Sequence, residues 1–209
     1  MQRDESDHWQ EVYDTKAPAQ VSWYQLVPEQ SLEYIRRTGM PRTTPVLDVG
    51  GGASTLVDHL LREGWTDVTV LDIAPGGLGA ARARLGAEAE RVTWIVADIT
   101  AFSPARRFGI WHDRAVFHFL VDPAGRERYL AVLRAALAPG GWLVLAVFGP
   151  AGPTRCSGLP VERYSAEAVS DLLGPGFRLV ATDLEDHVTP GGQAQQFMYG
   201  LWRREARTE

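Results

Sequence analysis

An alternation runs through this sequence: five short, mostly apolar stretches recur down the chain, separated by Ala-, Leu- and Arg-rich segments with helical spacing. They are Pro45–Asp48, Val68–Asp72, Val92–Asp98, Gly109–Asp113 and Trp142–Phe148. Strands that are apolar at nearly every position need cover on both faces, so the pattern predicts an α/β fold with a doubly wound, mainly parallel sheet. Boundary residues agree. Ser54 can cap a helix through Leu56, Val57, Leu60 and Leu61, and Gly64 can end it. Asp122-Pro123 can open a helix through Tyr129, Leu130, Leu133 and Leu137 that Pro139-Gly140-Gly141 stops, and Ser165 can cap another reaching Leu173. Beyond it, Phe177–Leu184 and Gln195–Trp202 are joined by a loop too short for a crossover helix. They read as an antiparallel hairpin at the sheet edge, bringing the sheet to seven strands.

With 209 residues, 45% of them apolar, the chain is the size of one domain. No repeat or linker divides it, and residues 1–44 read as a helical lead-in outside a core of residues 45–209. The longest apolar run, Trp142 to Phe148, is far shorter than the roughly 20 residues of a membrane-spanning helix. The start, Met1-Gln2-Arg3-Asp4-Glu5, lacks the positive, then greasy, pattern of a secretory signal. The expectation is a cytoplasmic protein without a membrane partner. A net charge of −5 lacks the basic surplus that drives phosphate-backbone binding, so no nucleic-acid partner is expected. The single cysteine, Cys156, can form no internal disulfide and has no partner spacing for a metal.

The most informative segment is Val46-Leu47-Asp48-Val49-Gly50-Gly51-Gly52-Ala53-Ser54: a strand, an acid, three glycines and a helix start. Such a loop is either a ligand cradle or a plain tight turn. Context favours the cradle. Asp72 ends the next strand, where a carboxylate can accept both hydroxyl hydrogens of a ribose. Asp98 ends the third and can accept from an exocyclic adenine amine. Any one strand-end Asp can be a cap or turn residue. Three on successive strands share the edge of an open sheet where ligands bind. A dinucleotide fits less well, because Thr55 replaces the third small residue of its fingerprint and Asp48 would repel phosphate. S-adenosylmethionine has no phosphate and carries a cationic amino group and a sulfonium, so an acid beside the loop favours it.

These motifs resemble those of the class I S-adenosylmethionine-dependent methyltransferases, from about Val46 to Trp202. Asp48 to Gly52 is similar to the family's first motif, Leu71-Asp72-Ile73 to its ribose motif and Ala97-Asp98-Ile99 to its adenine motif. Pro139-Gly140-Gly141 before the fifth strand is similar too. Ser54 departs from the pattern where the family has its last glycine. The resemblance implies a Rossmann-like seven-stranded sheet, S-adenosylmethionine as cofactor and S-adenosylhomocysteine as product. It also implies cofactor contacts at Asp48, Gly50, Gly51, Gly52, Asp72, Ile73, Asp98 and Ile99. The lead-in, His8 to Gln25, resembles that of small bacterial members, which look like the protein-lysine methyltransferase branch.

Methyl transfer from a sulfonium needs alignment and exclusion of water rather than a metal. The fourth strand delivers Trp111-His112-Asp113-Arg114, then Phe117-His118-Phe119, to the same sheet edge. His118 is either a general base or a packed wall residue. Asp113 is expected to contact the cofactor, and His112 and Arg114 the substrate, with a structural ion pair as their alternative role. The Asn-Pro-Pro-Tyr type motif of enzymes acting on nucleic-acid or glutamine nitrogens is absent. In the Thr154–Tyr164 loop, Arg163 and Tyr164 can hold an anionic or carbonyl acceptor, while Cys156 reads as a buried filler. The loop between the last two strands offers His187. Trp9, Tyr13, Trp23 and Tyr24 read either as a lid or as apolar pins, with Trp23 a substrate contact. The leading expectation is methyl transfer to an O, S or N atom of a small molecule. Its rivals are a protein-lysine methyltransferase, a non-catalytic cofactor-binding domain and an NAD-dependent dehydrogenase.

Overall fold

A computed structural model describes residues 5–206. In chain order its elements are α1 (Glu5–Thr15), α2 (Glu29–Arg37), β1 (Val46–Val49), α3 (Leu56–Arg62), β2 (Val68–Asp72), α4 (Pro75–Leu85), β3 (Val92–Val96), β4 (Phe108–Arg114), α5 (Pro123–Ala136), β5 (Leu137–Phe148), β6 (Arg155–Cys156), β7 (Leu159–Pro160), α6 (Ala166–Leu173), β8 (Phe177–Val188) and β9 (Ala194–Arg204). Seven strands form one sheet in the order β3-β2-β1-β4-β5-β9-β8, and β6 and β7 form a separate small hairpin. From β3 to β5 all pairings are parallel, whereas β9 runs antiparallel to both β5 and β8. The order reverses at β1, whose carboxyl end lies between those of β2 and β4, so a crevice opens there.

Successive strand residues point to opposite faces and fill two cores. On one face Leu47, Val49, Trp111, Leu143 and Leu145 pack with Tyr129, Leu130 and Leu133 of α5 and Val169 and Leu173 of α6. On the other, Val46, Val68, Val70, Ile110 and Val144 pack with Tyr34 and Ile35 of α2 and Leu56, Val57 and Leu60 of α3. The central strands are apolar along their length because each faces two helical layers.

Several boundaries follow the sequence pattern. The Asp122 carboxylate accepts the Gly125 N–H at 2.8 Å to open α5, and the Ser165 hydroxyl accepts that of Ala168 at 3.2 Å to open α6. Ser54 Oγ accepts the Leu56 N–H at 3.1 Å, and Gly64, at φ +85°, closes α3 in the left-handed conformation a Cβ disfavours. Others differ. Helix α5 ends at Ala136, and Pro139-Gly140-Gly141 is drawn into β5, where the register with β4 shifts between Phe108 and Ile110. β3 stops at Val96, because Asp98 turns the chain by accepting both the N–H and the hydroxyl of Thr100. Among the described residues, no helix is long and apolar enough to cross a membrane.

Arg84 of α4 ties the glycine loop to the second layer. It donates to the carbonyls of Ala53 and Ser54 at 2.9 and 2.6 Å, and to both carboxylate oxygens of the buried Asp58. Removing one partner of such a pair strands the other charge in the interior. Arg84→Met is expected to lower the unfolding free energy by about 2 kcal/mol in urea melts, with part recovered in Arg84→Met/Asp58→Asn, since Arg84 is itself part-exposed.

Candidate functional site

The carboxyl ends of β1 to β4 surround a pocket enclosing about 800 Å³ of free space with its open mouth. The loop after β1 passes close beneath it. Gly50 has φ +65°, and a Cβ there would stand 2.0 Å from Val116 Cγ2; one on Gly52 would stand 2.1 Å from Tyr13 Oη. The loop is glycine-rich because other side chains occupy the space that a Cβ needs.

Asp72, Ile73, Asp98 and Ile99 line this pocket together with Gly50, Trp23 and Arg114. Asp72 is buried, and one of its oxygens accepts the Ala74 N–H at 2.8 Å. Burial, reinforced by the charge of Asp48, pushes its carboxyl up to about 7. Asp98 is exposed at the rim. Two acceptor-only side chains at the β2 and β3 ends, with Leu71, Ile73, Ile99 and Leu120 between them, suit the hydroxyls, amine and apolar faces of an adenosyl group. The residues present therefore fit that group.

The pocket is covered by residues before β1. Trp9 and Tyr13 of α1 line it, and α1 is fastened by Gln10 Oε1 accepting the Gly76 N–H at 2.9 Å. The Trp9 ring meets Trp23 edge-on at 5.7 Å and Phe119 at 4.9 Å. Burial and the charge of Asp72 push the Tyr13 phenol up, keeping it neutral.

A second pocket adjoins the first and is lined by Asp48, Gly50, Gly51, Ser31, His112, Trp23 and Arg114. Here a buried hydrogen-bond chain crosses the core. Arg114 Nε donates to Tyr199 Oη at 2.9 Å, Tyr199 and Ser31 hydroxyls lie 3.3 Å apart, Ser31 is 2.9 Å from His112 Nε2, and His112 Nδ1 is 2.7 Å from Asp48 Oδ1. A guanidinium only donates and a carboxylate only accepts, so Tyr199 Oη accepts from Arg114 and His112 Nδ1–H donates to Asp48.

Arg114 Nη1 also donates to the Trp23 carbonyl at 3.0 Å. His187 Nε2 bonds the Ser22 carbonyl at 2.7 Å, Glu185 accepts from Gln25 at 3.0 Å, and Thr55 donates to the Gln25 carbonyl at 2.9 Å. Four side chains from three parts of the chain, β4, β8 and the start of α3, thus hold one irregular strap, residues 22–25, across the sheet edge. This arrangement corrects the expectation for His187, which lines neither pocket and acts as an anchor.

Four further expectations give way. Asp113 is fully buried, its carboxylate taken up by the N–H groups of Val116 and Phe117 and by the Tyr129 hydroxyl at 2.6 Å. It shapes the turn that sets Val116 against Gly50 and does not reach either pocket. His118 is fully buried between Phe119 and Phe148, and its Nδ1 accepts the Phe148 N–H at 3.2 Å. Nδ1 thus has no lone pair to spare, Nε2 holds the proton, and burial pushes the ring down to about 3. It is not a general base. Arg163 braces the loop after β5 by donating to the Pro150 carbonyl at 3.0 Å, and Tyr164 packs its ring on Phe117. Val116, Phe119 and Cys156 line the pocket without a sequence signal that marks them, and Ser31 and Tyr199 meet across 168 residues of chain.

Among the described residues, no cluster of three or more His, Cys, Asp or Glu side chains could hold a metal. Residues 46–141 match the family model of a methyltransferase domain. Nodulation protein S of Sinorhizobium fredii is 31% identical over 113 residues, 54% of this chain and 50% of that protein. The chain thus spans about half the length of the curated relatives it matches. Among solved structures, one reporting conversion of a disulfide bond into a thioacetal group during echinomycin biosynthesis superposes with a TM-score of 0.78, 18% identity and coverage of 98% of this chain and 95% of that one. The 1,6-didemethyltoxoflavin-N1-methyltransferase of Burkholderia thailandensis superposes with a TM-score of 0.69, 21% identity and coverage of 96% and 84%. At these identities the two structures speak for the fold. Residues 46–141 are thus similar to a methyltransferase domain, and the sheet that they begin is completed by the rest of β5 and by β9 and β8.

Proposed function

We propose that the chain transfers a methyl group from S-adenosylmethionine to a nucleophilic O, S or N atom of a small molecule. The observation that carries this reading is a single chamber with acceptor-only carboxylates at the β2 and β3 end and an aromatic wall at the β4 end. When bound, S-adenosylmethionine supplies an electrophilic methyl group on a positively charged sulfur. Asp72 would accept the ribose hydroxyls and Asp98 the adenine amine. Asp48 and the Gly50-Gly51 backbone, in the adjoining pocket, suit the cationic amino group.

The chain's other contribution is to orient the acceptor and exclude water. Trp9 and Tyr13 close the chamber from above, and the strap presents Trp23 to both pockets. A covered chamber favours a small acceptor over a lysine on a protein surface. The structure of the Burkholderia thailandensis enzyme, which holds 1,6-didemethyltoxoflavin and S-adenosylhomocysteine together, supports the same kind of acceptor by likeness of fold.

Calorimetric titration tests the reading. S-adenosylmethionine and S-adenosylhomocysteine are expected to bind and NAD not to; NAD binding without heat from S-adenosylmethionine overturns it. Asp72→Ala is expected to weaken S-adenosylmethionine by about 10- to 100-fold, the worth of one or two hydrogen bonds to a charged acceptor.

A pH dependence follows from the raised carboxyl. Below about 7, Asp72 is largely protonated in the free protein. Ribose hydroxyls favour the ionised acceptor, so binding releases a proton. Affinity is expected to fall as pH drops through about 7 and to level off above it, and Asp72→Asn should remove that component of the titration.

A further inference from the structure

The β4 end of the chamber differs in chemistry from the β2 and β3 end. Its walls are the rings of Trp9, Trp23 and Phe119, with Trp9 edge-on to the other two, and the thiol of Cys156. The only carboxylates lining the chamber, among the described residues, are Asp72 and Asp98, on the far side of β1. Among the described residues that line the β4 end, none is a histidine or a carboxylate: His118 is sealed behind Phe119, and burial pushes the Cys156 thiol up and keeps it neutral. The charge there is positive. Arg114 lines the chamber, its side chain 9% exposed, and its Nη2 has no hydrogen-bond partner.

Arg114 is held from several sides, and its charge is partly met by Glu185. Tyr199 of β9 accepts from Nε, and the Phe197 ring lies 4.4 Å beneath the guanidinium carbon. Glu185 of β8 forms an ion pair with Nη2 across 4.0 Å, too long for a hydrogen bond, and does not line the chamber. His187 and His118, both pushed down by burial, are neutral. Lys16 adds a second positive influence at Cys156.

We propose that this end takes a flat aromatic acceptor whose nucleophilic sulfur, oxygen or nitrogen arrives already ionised, held between the three rings and beside Arg114. The inference rests on the reading of the chamber as an S-adenosylmethionine site. A pocket without a base cannot activate an ammonium or an aliphatic alcohol, whereas an acidic aromatic thiol, phenol or ring N–H has lost its proton to solvent before it binds. Its lone pair forms the new bond to the methyl carbon, the methyl–sulfonium bond breaks, and that electron pair stays on the donor sulfur. Anion and cation become two neutral products. Aromatic walls complement a flat ring, and a desolvated guanidinium complements the anion.

The probes are thiophenol and 4-nitrophenol, which ionise near neutrality, and benzylamine, which is a cation there. Titration with S-adenosylmethionine comes first; if it does not bind, the reading of the chamber falls and this inference with it. With the protein loaded with S-adenosylhomocysteine, 4-nitrophenol is then titrated above and below its ionisation. Its anion is expected to bind at least about tenfold tighter than its neutral form, and Arg114→Met is expected to remove the difference. In turnover, followed by mass spectrometry, thiophenol is expected to be methylated and benzylamine not. Equal binding of both forms of 4-nitrophenol, methylation of benzylamine but not thiophenol, or binding of S-adenosylmethionine with no probe bound or methylated overturns the proposal. Should Arg114→Met not fold, the two forms of the probe still decide it on the unaltered protein.

Discussion

The two pockets depend on the buried chain from Arg114 through Tyr199, Ser31 and His112 to Asp48. Its ends are groups that cannot exchange roles, since a guanidinium only donates and a carboxylate only accepts. Such a network is costly if any member is missing and rigid if all are present. It joins α2, β1, β4 and β9, four elements that the hydrophobic pattern alone would leave free to slide. Arg114 extends the chain outward to the Trp23 carbonyl, so the core network also sets the wall between the two cavities.

This explains why residues with the chemistry of catalysts do other work. Histidines 112, 118 and 187 and Asp113 look, by residue type and by their place near strand ends, like acid–base groups. Three of them instead fasten backbone: His187 holds the strap, His118 accepts the Phe148 N–H, and Asp113 gathers the turn that seats Val116 on Gly50. His112 is spent within the relay. What is left facing the chamber is a small set of groups suited to binding and alignment, which is what an in-line displacement asks of a protein.

The architecture was legible because it is written in local pattern. Apolar runs of strand length mark β1, β2, β4 and β5, caps such as Asp122 and Ser165 mark helix starts, and the absent crossover marks the β8–β9 hairpin. Where the expectations slip, a local competition decides. Asp98 ends β3 early because its carboxylate bonds Thr100, and the Pro139-Gly140-Gly141 stretch joins β5 because β4 offers it partners.

The sequence by itself determined the kind of sheet, the glycine loop and the acids at the β2 and β3 tips, because these depend on neighbours only a few residues away. Tertiary structure alone decided which polar side chains face the chamber. Ser31 meets Tyr199, and Gln25 meets Glu185, across more than 150 residues of chain. A side chain's role at a strand end is settled by the hydrogen-bond partner that arrives from elsewhere, and a buried polar group that finds one no longer faces a ligand.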